Sequence, residues 1–338
     1  MAPKWKTQFY SAFAPIAALH YSGIASILMF HRVLDAPPPV RIGMASQLDI
    51  TTAFLTDVVL HLRAKGYSII SLPELIARLR RPSISSAKCT VLTFDDGYAE
   101  IHDLAFPVLK ALAAPFTLFL ATGYPDRTLL PWWYVLERFL QEQSGICIPG
   151  KPEAVALASR ADRERAYLMM ADLFDRCASP AEEVELARRV FGSDRVEQAF
   201  AEMPISWEQV TALADDELVT IGAHTKTHPR LNQLSNERAL LEMVESKRII
   251  ESRLKKAVEH FAYPYGSAAE VGRREFMLAA EAGFASCVTT RLGNIFEEHR
   301  KHLMCLPRIS FDRVDCVDLH LKGVVSAFRH YGRRVVTA

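Results

Sequence analysis

Several features that would place a chain of this length in a common class are missing from this one. The six cysteines are scattered and include no CxxC pair, which argues against a disulfide framework and favours reduced thiols. Lysine and arginine number 40 against 39 acidic residues, for a net charge of +1. This balance gives no support for a nucleic-acid partner, because such partners need a clustered basic face. No apolar run of about 18 residues lacks a polar break, so no spanning helix is predicted.

The N-terminal segment resembles an export signal only loosely. Two lysines precede an apolar stretch from Phe9 to Leu19, but Pro15 and His20 interrupt it. No A-x-A cleavage site follows a long apolar core. We therefore expect a cytoplasmic protein, with peripheral membrane contact through residues 5–19 as an open alternative.

Strand-like and helix-like segments alternate along most of the 338 residues. Such alternation is typical of βαβ units around a parallel sheet. Seven or eight strands favour a distorted (β/α) barrel, which we expect to form a single domain over residues 1–338. The predicted strands are 26–31, 67–71, 90–94, 116–121, 219–223, 259–263, 285–289 and 306–310. The predicted helices are 51–65, 73–80, 101–113, 207–214, 235–256, 270–282 and 315–330.

Residues 125–204 break this alternation and have a mostly helical pattern. We interpret them as a helical insertion that follows the strand ending at Ala121 and therefore lies on the active face of the barrel. Trp132 and Trp133 lie near the start of the insertion. They fit a buried helix start better than a surface that stacks on sugar rings, although aromatic rings can do both.

An acidic pair, Asp95 and Asp96, directly follows the apolar strand 90–94. Ligands bind at the carboxyl ends of parallel strands. Two adjacent carboxylates repel each other unless a cation or a proton lies between them. The pair therefore predicts a metal site, with one carboxylate on the ion and the other free to move protons.

A histidine pair, His224 and His228, follows the strand 219–223 in the sequence HTKTHP. A spacing of four on a helical turn would place both imidazoles within reach of one ion. One carboxylate and two histidines with an open position form a hydrolytic metal set. Zinc fits these ligands well, and cobalt, nickel and manganese stay open.

A third motif, Ala262-Tyr263-Pro264-Tyr265-Gly266, follows the strand 259–263. Proline between two aromatic residues fixes a rigid loop. The backbone N–H groups of this loop could face a reacting carbonyl, although an ordinary strand-ending turn explains the motif equally well.

Together these motifs resemble the NodB-homology polysaccharide deacetylase family, carbohydrate esterase family 4. Thr93 to Gly97 match its first motif, TFDDG, letter for letter, and residues 224–229 match its second, H-[ST]-x-x-H-[PA]. Its third, R-x-P-[YF]-[GS], is matched only in part. The start ILMFHRV at residues 27–33 also looks like that of many members. The resemblance covers roughly residues 26–124 and 205–312 and leaves out the insertion.

The resemblance implies a role for each matched residue. Asp95 would be the general base, while Asp96, His224 and His228 would bind the metal. The backbone N–H of Tyr265 would help to hold the oxyanion of the acetamide group. An N-acetylated sugar or oligosaccharide would be the substrate, and a free amine and acetate the products.

The chain departs from the family pattern in two places. Ala262 replaces the arginine that steadies the catalytic carboxylate, and Arg308 at the end of the last strand is a candidate substitute. No good copy of the late Leu-x-His motif supplies the general acid, and His320 is expected in a helix. His31, at the end of the first strand, is a better candidate. Two alternatives stay open. His31 could instead bind substrate or orient other site residues, and water at the metal could protonate the amine.

We therefore predict a metal-dependent hydrolase that removes N-acetyl groups from an amino sugar in a glycan or glycan precursor. A deformylase acting on a lipid-linked amino sugar is a close variant. A catalytically inactive sugar-binding homologue is the alternative from another class, favoured by the missing arginine and missing acid. An unrelated amidohydrolase is disfavoured because no H-x-H follows the first strand. The sequence leaves the oligomeric state unknown.

Overall fold

The centre of the fold is built from strands whose side chains are buried on both faces. The computed structural model describes residues 4–36, 41–43, 48–81, 88–311 and 314–336. Every residue of the strand Cys89–Phe94 is buried, as expected for a parallel strand covered on both sides. The strands are, in chain order, β1 Ala25–Phe30, β2 Arg32–Leu34, β3 Asp49–Thr51, β4 Ser68–Ile69, β5 Cys89–Phe94, β6 Phe116–Leu120, β7 Gly145–Ile146, β8 Val155–Ala156, β9 Val219–Ala223, β10 His260–Ala262, β11 Ser286–Leu292 and β12 Leu306–Arg308.

Seven of the described strands form a parallel barrel in the order β1-β5-β6-β9-β10-β11-β12. Backbone hydrogen bonds from Met29 to Ile309 and from Ile309 to Ile27, both 2.8 Å, join the residue that directly follows β12 to β1 and close the ring. The short β4 pairs with the first two residues of β5. The predicted (β/α) barrel is therefore confirmed, and each of the eight predicted strands is present.

The helices pack around the barrel and at its ends. They are α1 Lys4–Tyr21, α2 Thr52–Ala64, α3 Leu72–Arg80, α4 Phe106–Ala111, α5 Trp132–Glu142, α6 Arg160–Phe174, α7 Pro180–Phe191, α8 Ser193–Glu202, α9 Trp207–Ala214, α10 Asn236–Leu254, α11 Arg273–Glu281, α12 Val317–Leu321 and α13 Val324–Arg329. None of these described helices is both long enough and apolar enough to cross a bilayer.

Two separate layers of apolar side chains cover the two faces of the barrel strands. One layer contains strand residues such as Val91 and Phe119 together with buried residues of α3. The larger layer lies between the other strand faces and α2, α9, α10 and α11. Because apolar packing fixes the strands from both sides, polar residues at the strand ends are held by a rigid frame.

The segment between β6 and α9 has a hydrophobic core of its own. Helices α5, α6, α7 and α8 supply most of this core, and the antiparallel pair β7–β8 joins α5 to α6. The sequence pattern indicated the helices of residues 125–204 but not this hairpin, whose strands have only two residues each. Since β6 ends at the carboxyl side of the barrel, the insertion begins beside the predicted active face.

Two predicted helices differ in the structure. The segment predicted as a helix over 101–113 starts with a π-helical turn over Ile101–Ala105 and continues as α4. Pro107 lacks an N–H group, so the regular helical hydrogen bond to residue 103 cannot form. The final helix predicted over 315–330 is divided into α12 and α13 at Gly323, whose φ of 72° ends α12. A Cβ atom there would collide with the Tyr21 carbonyl group.

Candidate metal centre and active site

The two adjacent aspartates point in different directions because the backbone turns sharply between them. Asp95 continues the strand, and its N–H donates to the Phe30 carbonyl at 3.0 Å. Asp96 has a φ of 73° and Gly97 a φ of 118°, conformations that aspartate tolerates and glycine favours. Both carboxylates are buried, at 1% and 2% exposure. The turn therefore gives each carboxylate separate partners.

Asp95 is held by Arg308 of β12. The guanidinium donates to Asp95 Oδ1 at 2.7 Å and to Oδ2 at 2.6 Å, and it also donates to Thr93 Oγ1 and the Thr289 carbonyl. Burial alone would raise the pKa of Asp95, but the charge and hydrogen bonds of Arg308 outweigh burial and hold the pKa below its usual value. Asp95 is therefore kept ionised and in one orientation.

Arg308 supplies Asp95 with the guanidinium that the alanine at position 262 cannot provide. Ala262 is fully buried, in the same apolar cluster as Phe119, and the Arg308 guanidinium lies 5.8 Å from the centre of the Phe119 ring. The two positions therefore border the same part of the barrel, although they lie on different strands. The guanidinium comes from β12 instead of the strand that carries the third motif.

Asp96, His224 and His228 lie together at the carboxyl end of the barrel. One potential ligand atom from each lies within 4.8 Å of the others. Asp96 Oδ1 is 3.4 Å from His224 Nε2 and 3.3 Å from His228 Nε2. The structure thus brings together the three residues that the sequence predicted as metal ligands.

The donor atoms of this cluster have the chemistry that a divalent ion requires. Asp96 Oδ1 is buried and has no hydrogen-bond partner among the described residues, while Oδ2 accepts from the Tyr98 hydroxyl at 3.0 Å. His224 Nδ1 lies 2.8 Å from the Ala262 carbonyl, so it donates its proton there and leaves a lone pair on Nε2. A buried acceptor beside two imidazole nitrogens fits a zinc-type ion.

The two histidines are not on a helical turn, which corrects the sequence prediction. Residues 224–229 form an irregular loop in which Thr225 and His228 have positive φ values of 65° and 55°. The loop brings the imidazole centroids to 4.9 Å. Thr225 Oγ1 accepts from the His228 N–H at 3.0 Å, so side-chain and backbone contacts replace helical hydrogen bonds in fixing the pair.

Glu242 of α10 supports this loop and was not singled out from the sequence. Its carboxylate accepts hydrogen bonds from the backbone N–H groups of Lys226 and Thr227 and from the Thr227 hydroxyl, at 2.8 to 2.9 Å. No motif marks this residue, because a glutamate on a long polar helix has the pattern of a solvated surface. Its role depends on where α10 packs.

Tyr265 lies beside His228, with 5.2 Å between the ring centroids. Its backbone has a φ of 61°, and its carbonyl accepts from Thr290 Oγ1 at 2.6 Å. Within the described residues its N–H donates no hydrogen bond. Arg230 lies over the ring at 3.8 Å. The loop conformation therefore leaves a free backbone donor next to the histidine pair.

His31 also lies at the site, with Nε2 4.0 Å from Asp95 Oδ2. Burial lowers the pKa of His31, and the two neighbouring aspartates oppose that effect only in part. The imidazole is therefore neutral at neutral pH. His320, the other histidine considered, lies on α12 with its ring 6.0 Å from that of Phe311.

The two tryptophans of the insertion have different surroundings. Trp132 is buried and stacked on Phe174 at 4.4 Å, as the buried interpretation predicted for the pair. Trp133 is half-buried, and its ring centroid lies 6.4 Å from that of His228. One face of the insertion therefore borders the histidine pair.

Residues 83–285, more than half of the chain, match the sequence profile of the family described as polysaccharide deacetylase. No curated protein matches at a significant level. Among solved structures, IcaB from Ammonifex degensii gives a TM-score of 0.57 at 18% identity over 89% of this chain and 97% of that one.

Two further structures are similar over comparable lengths. The deacetylase PplD from Streptococcus pyogenes, solved with acetate, gives a TM-score of 0.56 at 18% identity over 85% of this chain and 92% of that one. The BpsB deacetylase domain from Bordetella bronchiseptica gives 0.53 at 19% identity, covering 85% and 95%. At these identities the structures support the barrel fold, and the profile match decides the family: the chain belongs to the polysaccharide deacetylase family.

Proposed function

We propose that this protein is a metal-dependent hydrolase that removes N-acetyl groups from an amino sugar in a glycan or glycan precursor. One observation carries the proposal. Asp96 and the two histidines converge on one centre, while the neighbouring Asp95 is bound by Arg308. This arrangement separates a set of metal ligands from a carboxylate that is not part of the set and can act as a base, as amide hydrolysis by activated water requires.

Asp96 Oδ1 and the Nε2 atoms of His224 and His228 would hold the ion, with zinc as our first choice. A divalent ion in such a site supplies a Lewis acid that polarises a carbonyl oxygen and acidifies water. The chain's own groups do the rest. Asp95, kept ionised by Arg308, takes a proton from the attacking water.

Two further groups act on the other atoms of the amide. The Tyr265 N–H donates to the carbonyl oxygen as it gains negative charge. As the C–N bond breaks, the leaving amine needs a proton. We assign this step to His31: its Nε2 lies 4.0 Å from Asp95 Oδ2, a separation that one water molecule can bridge to pass on the proton that Asp95 has taken. The products are acetate and a free amine.

The inactive sugar-binding alternative depended on the missing arginine and the missing acid. The Asp95–Arg308 contact supplies the arginine from another strand, and His31 lies within 4.0 Å of the base. Both observations favour catalysis over binding alone.

Acetate release from N-acetylglucosamine oligomers, measured with metal-loaded and chelator-treated protein, tests the proposal. We expect release that a chelator stops and zinc restores, and elemental analysis identifies the ion that the purified protein carries. Formate release from an N-formyl amino sugar, without acetate release, would favour the deformylase. Failure of the loaded protein on every acylated sugar would contradict the hydrolase.

The cytoplasmic location and the peripheral membrane contact stay predictions. On α1, the Ile16 and Leu19 side chains are 65% and 80% exposed, which is compatible with contact at a lipid surface. Cell fractionation, with and without a salt wash, tests both predictions.

A further inference from the structure

A cavity of about 360 Å³ lies between the insertion and the histidine loop. We call it the insertion cavity. One wall includes residues 227–230, Arg238 and Tyr265, and the other consists of residues 174–175, 177–180 and Glu183, where α6 ends and α7 begins. Its size is within the roughly 300–1,000 Å³ of small-molecule sites. His228, a proposed metal ligand, belongs to its lining, so a molecule in the cavity would adjoin the metal centre.

Two partly buried polar groups of the lining, the Glu183 carboxyl and the Tyr265 hydroxyl, have no hydrogen-bond or ion-pair partner among the described residues, and neither do the exposed side chains of Gln233 and Arg238. Glu183 is half-buried, and burial together with Asp175 raises the pKa of its carboxyl to about 7. The hydroxyl of Tyr265 likewise makes no hydrogen bond there. Other acidic groups of the lining are engaged: Glu242 holds the histidine loop, and Asp175 faces Arg230 at 3.9 Å. The free groups are therefore those able to bind a ligand.

Most ring faces of the aromatic residues in the cavity are already in contact with other side chains. Phe174 is stacked between Trp132 at 4.4 Å and Phe191 at 5.9 Å. One face of Tyr265 is covered by the Arg230 guanidinium at 3.8 Å. Recognition in this cavity must therefore depend mainly on hydrogen bonds. A carboxylate that accepts from two hydroxyls and a phenol that both donates and accepts suit a hydroxylated ring.

We propose that the insertion cavity is a carbohydrate subsite, in which Glu183 and the Tyr265 hydroxyl bind the sugar ring next to the one that carries the acetamide. This inference rests on the proposed function, because the reacting sugar is taken to lie at the metal centre. The substrate is then an oligosaccharide of at least two linked rings. Glu183 is a specificity residue that the family motifs do not include, since the insertion lies outside them.

The test compares acetate release from N-acetylglucosamine with release from its dimer, trimer and tetramer. For the wild-type protein we expect kcat/KM to rise at least about tenfold from monomer to trimer, equivalent to about 1.4 kcal/mol. Glu183→Ala should lower the trimer-to-monomer ratio about tenfold, mainly through KM, and Glu183→Gln should lower it less. Ala178→Trp, which fills the cavity from its rim, should lower the same ratio.

Matched controls come from the same helix. Glu185→Ala and Ala181→Trp change exposed residues of α7 outside the lining and should leave the ratio unchanged. If Glu183→Ala and Ala178→Trp both leave the trimer-to-monomer ratio of kcat/KM at the wild-type value, the subsite proposal is overturned.

A binding measurement separates this inference from the proposed function. Metal-free protein is titrated with the trimer, and tryptophan fluorescence is followed, because Trp133 lies near His228. Binding that weakens in Glu183→Ala, without acetate release from any sugar, would support the subsite and contradict the hydrolase. Equal acetate release from monomer and trimer, with no binding difference, would support the hydrolase and overturn the subsite.

Discussion

The contact between Arg308 and Asp95 gives the sharpest prediction, because the pair is buried and bidentate. Side-chain exposure is 0% for Arg308 and 2% for Asp95. Replacing arginine by methionine keeps much of the volume and leaves a buried carboxylate without its cation. Removing one partner of a buried ion pair costs about 3–5 kcal/mol. We therefore expect Arg308→Met to lower the free energy of unfolding of the metal-free protein by that amount, measured in urea.

The same change should lower activity, because Asp95 loses both its charge partner and its fixed orientation. Misplacement of a catalytic group by about 1 Å costs on the order of 100-fold in rate. We expect kcat for acetate release from the N-acetylglucosamine trimer to fall by at least that factor in Arg308→Met, at saturating zinc. The zinc content should be retained, since Arg308 contacts none of Asp96, His224 and His228 in the structure.

Two double variants distinguish a positioning role from general damage to the core. Asp95→Asn combined with Arg308→Met removes the unpaired charge, so about half or more of the lost stability should return. Ala262→Arg combined with Arg308→Met places a guanidinium where the family motif has one, and should recover at least about tenfold in kcat. Near-wild-type activity of Arg308→Met, or additive stability losses in the first double variant, would refute the reasoning.

Three further outcomes follow from the site and the core. Asp95→Asn should reduce acetate release to background while the protein still binds one zinc ion, whereas His224→Ala should lose both zinc and activity; elemental analysis after dialysis distinguishes these outcomes. Glu242→Gln keeps the size of the side chain but weakens its contacts with the histidine loop, so we expect zinc affinity to fall about 10- to 100-fold. Competition with a chromophoric chelator measures the affinity, and an unchanged value would contradict a role for Glu242 in supporting the loop. Burial lowers the pKa of His260 and of His299 to about 4, so the unfolded chain binds more protons than the native state between about pH 6.5 and 4. The free energy of unfolding should therefore decrease as the pH is lowered through this window, by up to about 3 kcal/mol for each histidine. Urea unfolding of metal-free His260→Gln should show a smaller decrease, and an equal decrease would count against the assignment.

The sequence predicted the barrel well because its strands are short, apolar and separated by capped helices. Trp207–Ala214 and Val219–Ala223 have the predicted bounds. Ser206 begins the first of these segments with a capping box to Gln209, a local signal that does not depend on the rest of the fold. Where tertiary packing decides the conformation, as at Gly323 against Tyr21, local patterns were insufficient.

The convergence of Asp96, His224 and His228 could be predicted from the sequence, but the local geometry of this candidate metal site could not. Spacing suggested a helical turn for the two histidines, whereas the loop uses positive φ at Thr225 and His228. Glu242 stabilises that loop from a position 15 and 16 residues further along the chain than the two backbone N–H groups that it binds. Such contacts have no periodic signal in sequence, because they depend on how α10 packs against β9.

The Asp95–Arg308 contact shows how a guanidinium that an incomplete motif lacks can be supplied by another strand. In a closed parallel barrel, side chains from different strands point into a common interior, so one carboxylate is within reach of several sequence positions. Asp95 requires a guanidinium in that interior, and it receives one from β12 although β10 carries alanine. A linear motif follows only one of these strands. The rescue of Arg308→Met by Ala262→Arg therefore tests whether the barrel interior, and not a fixed position in the chain, is the unit in which this charge is placed.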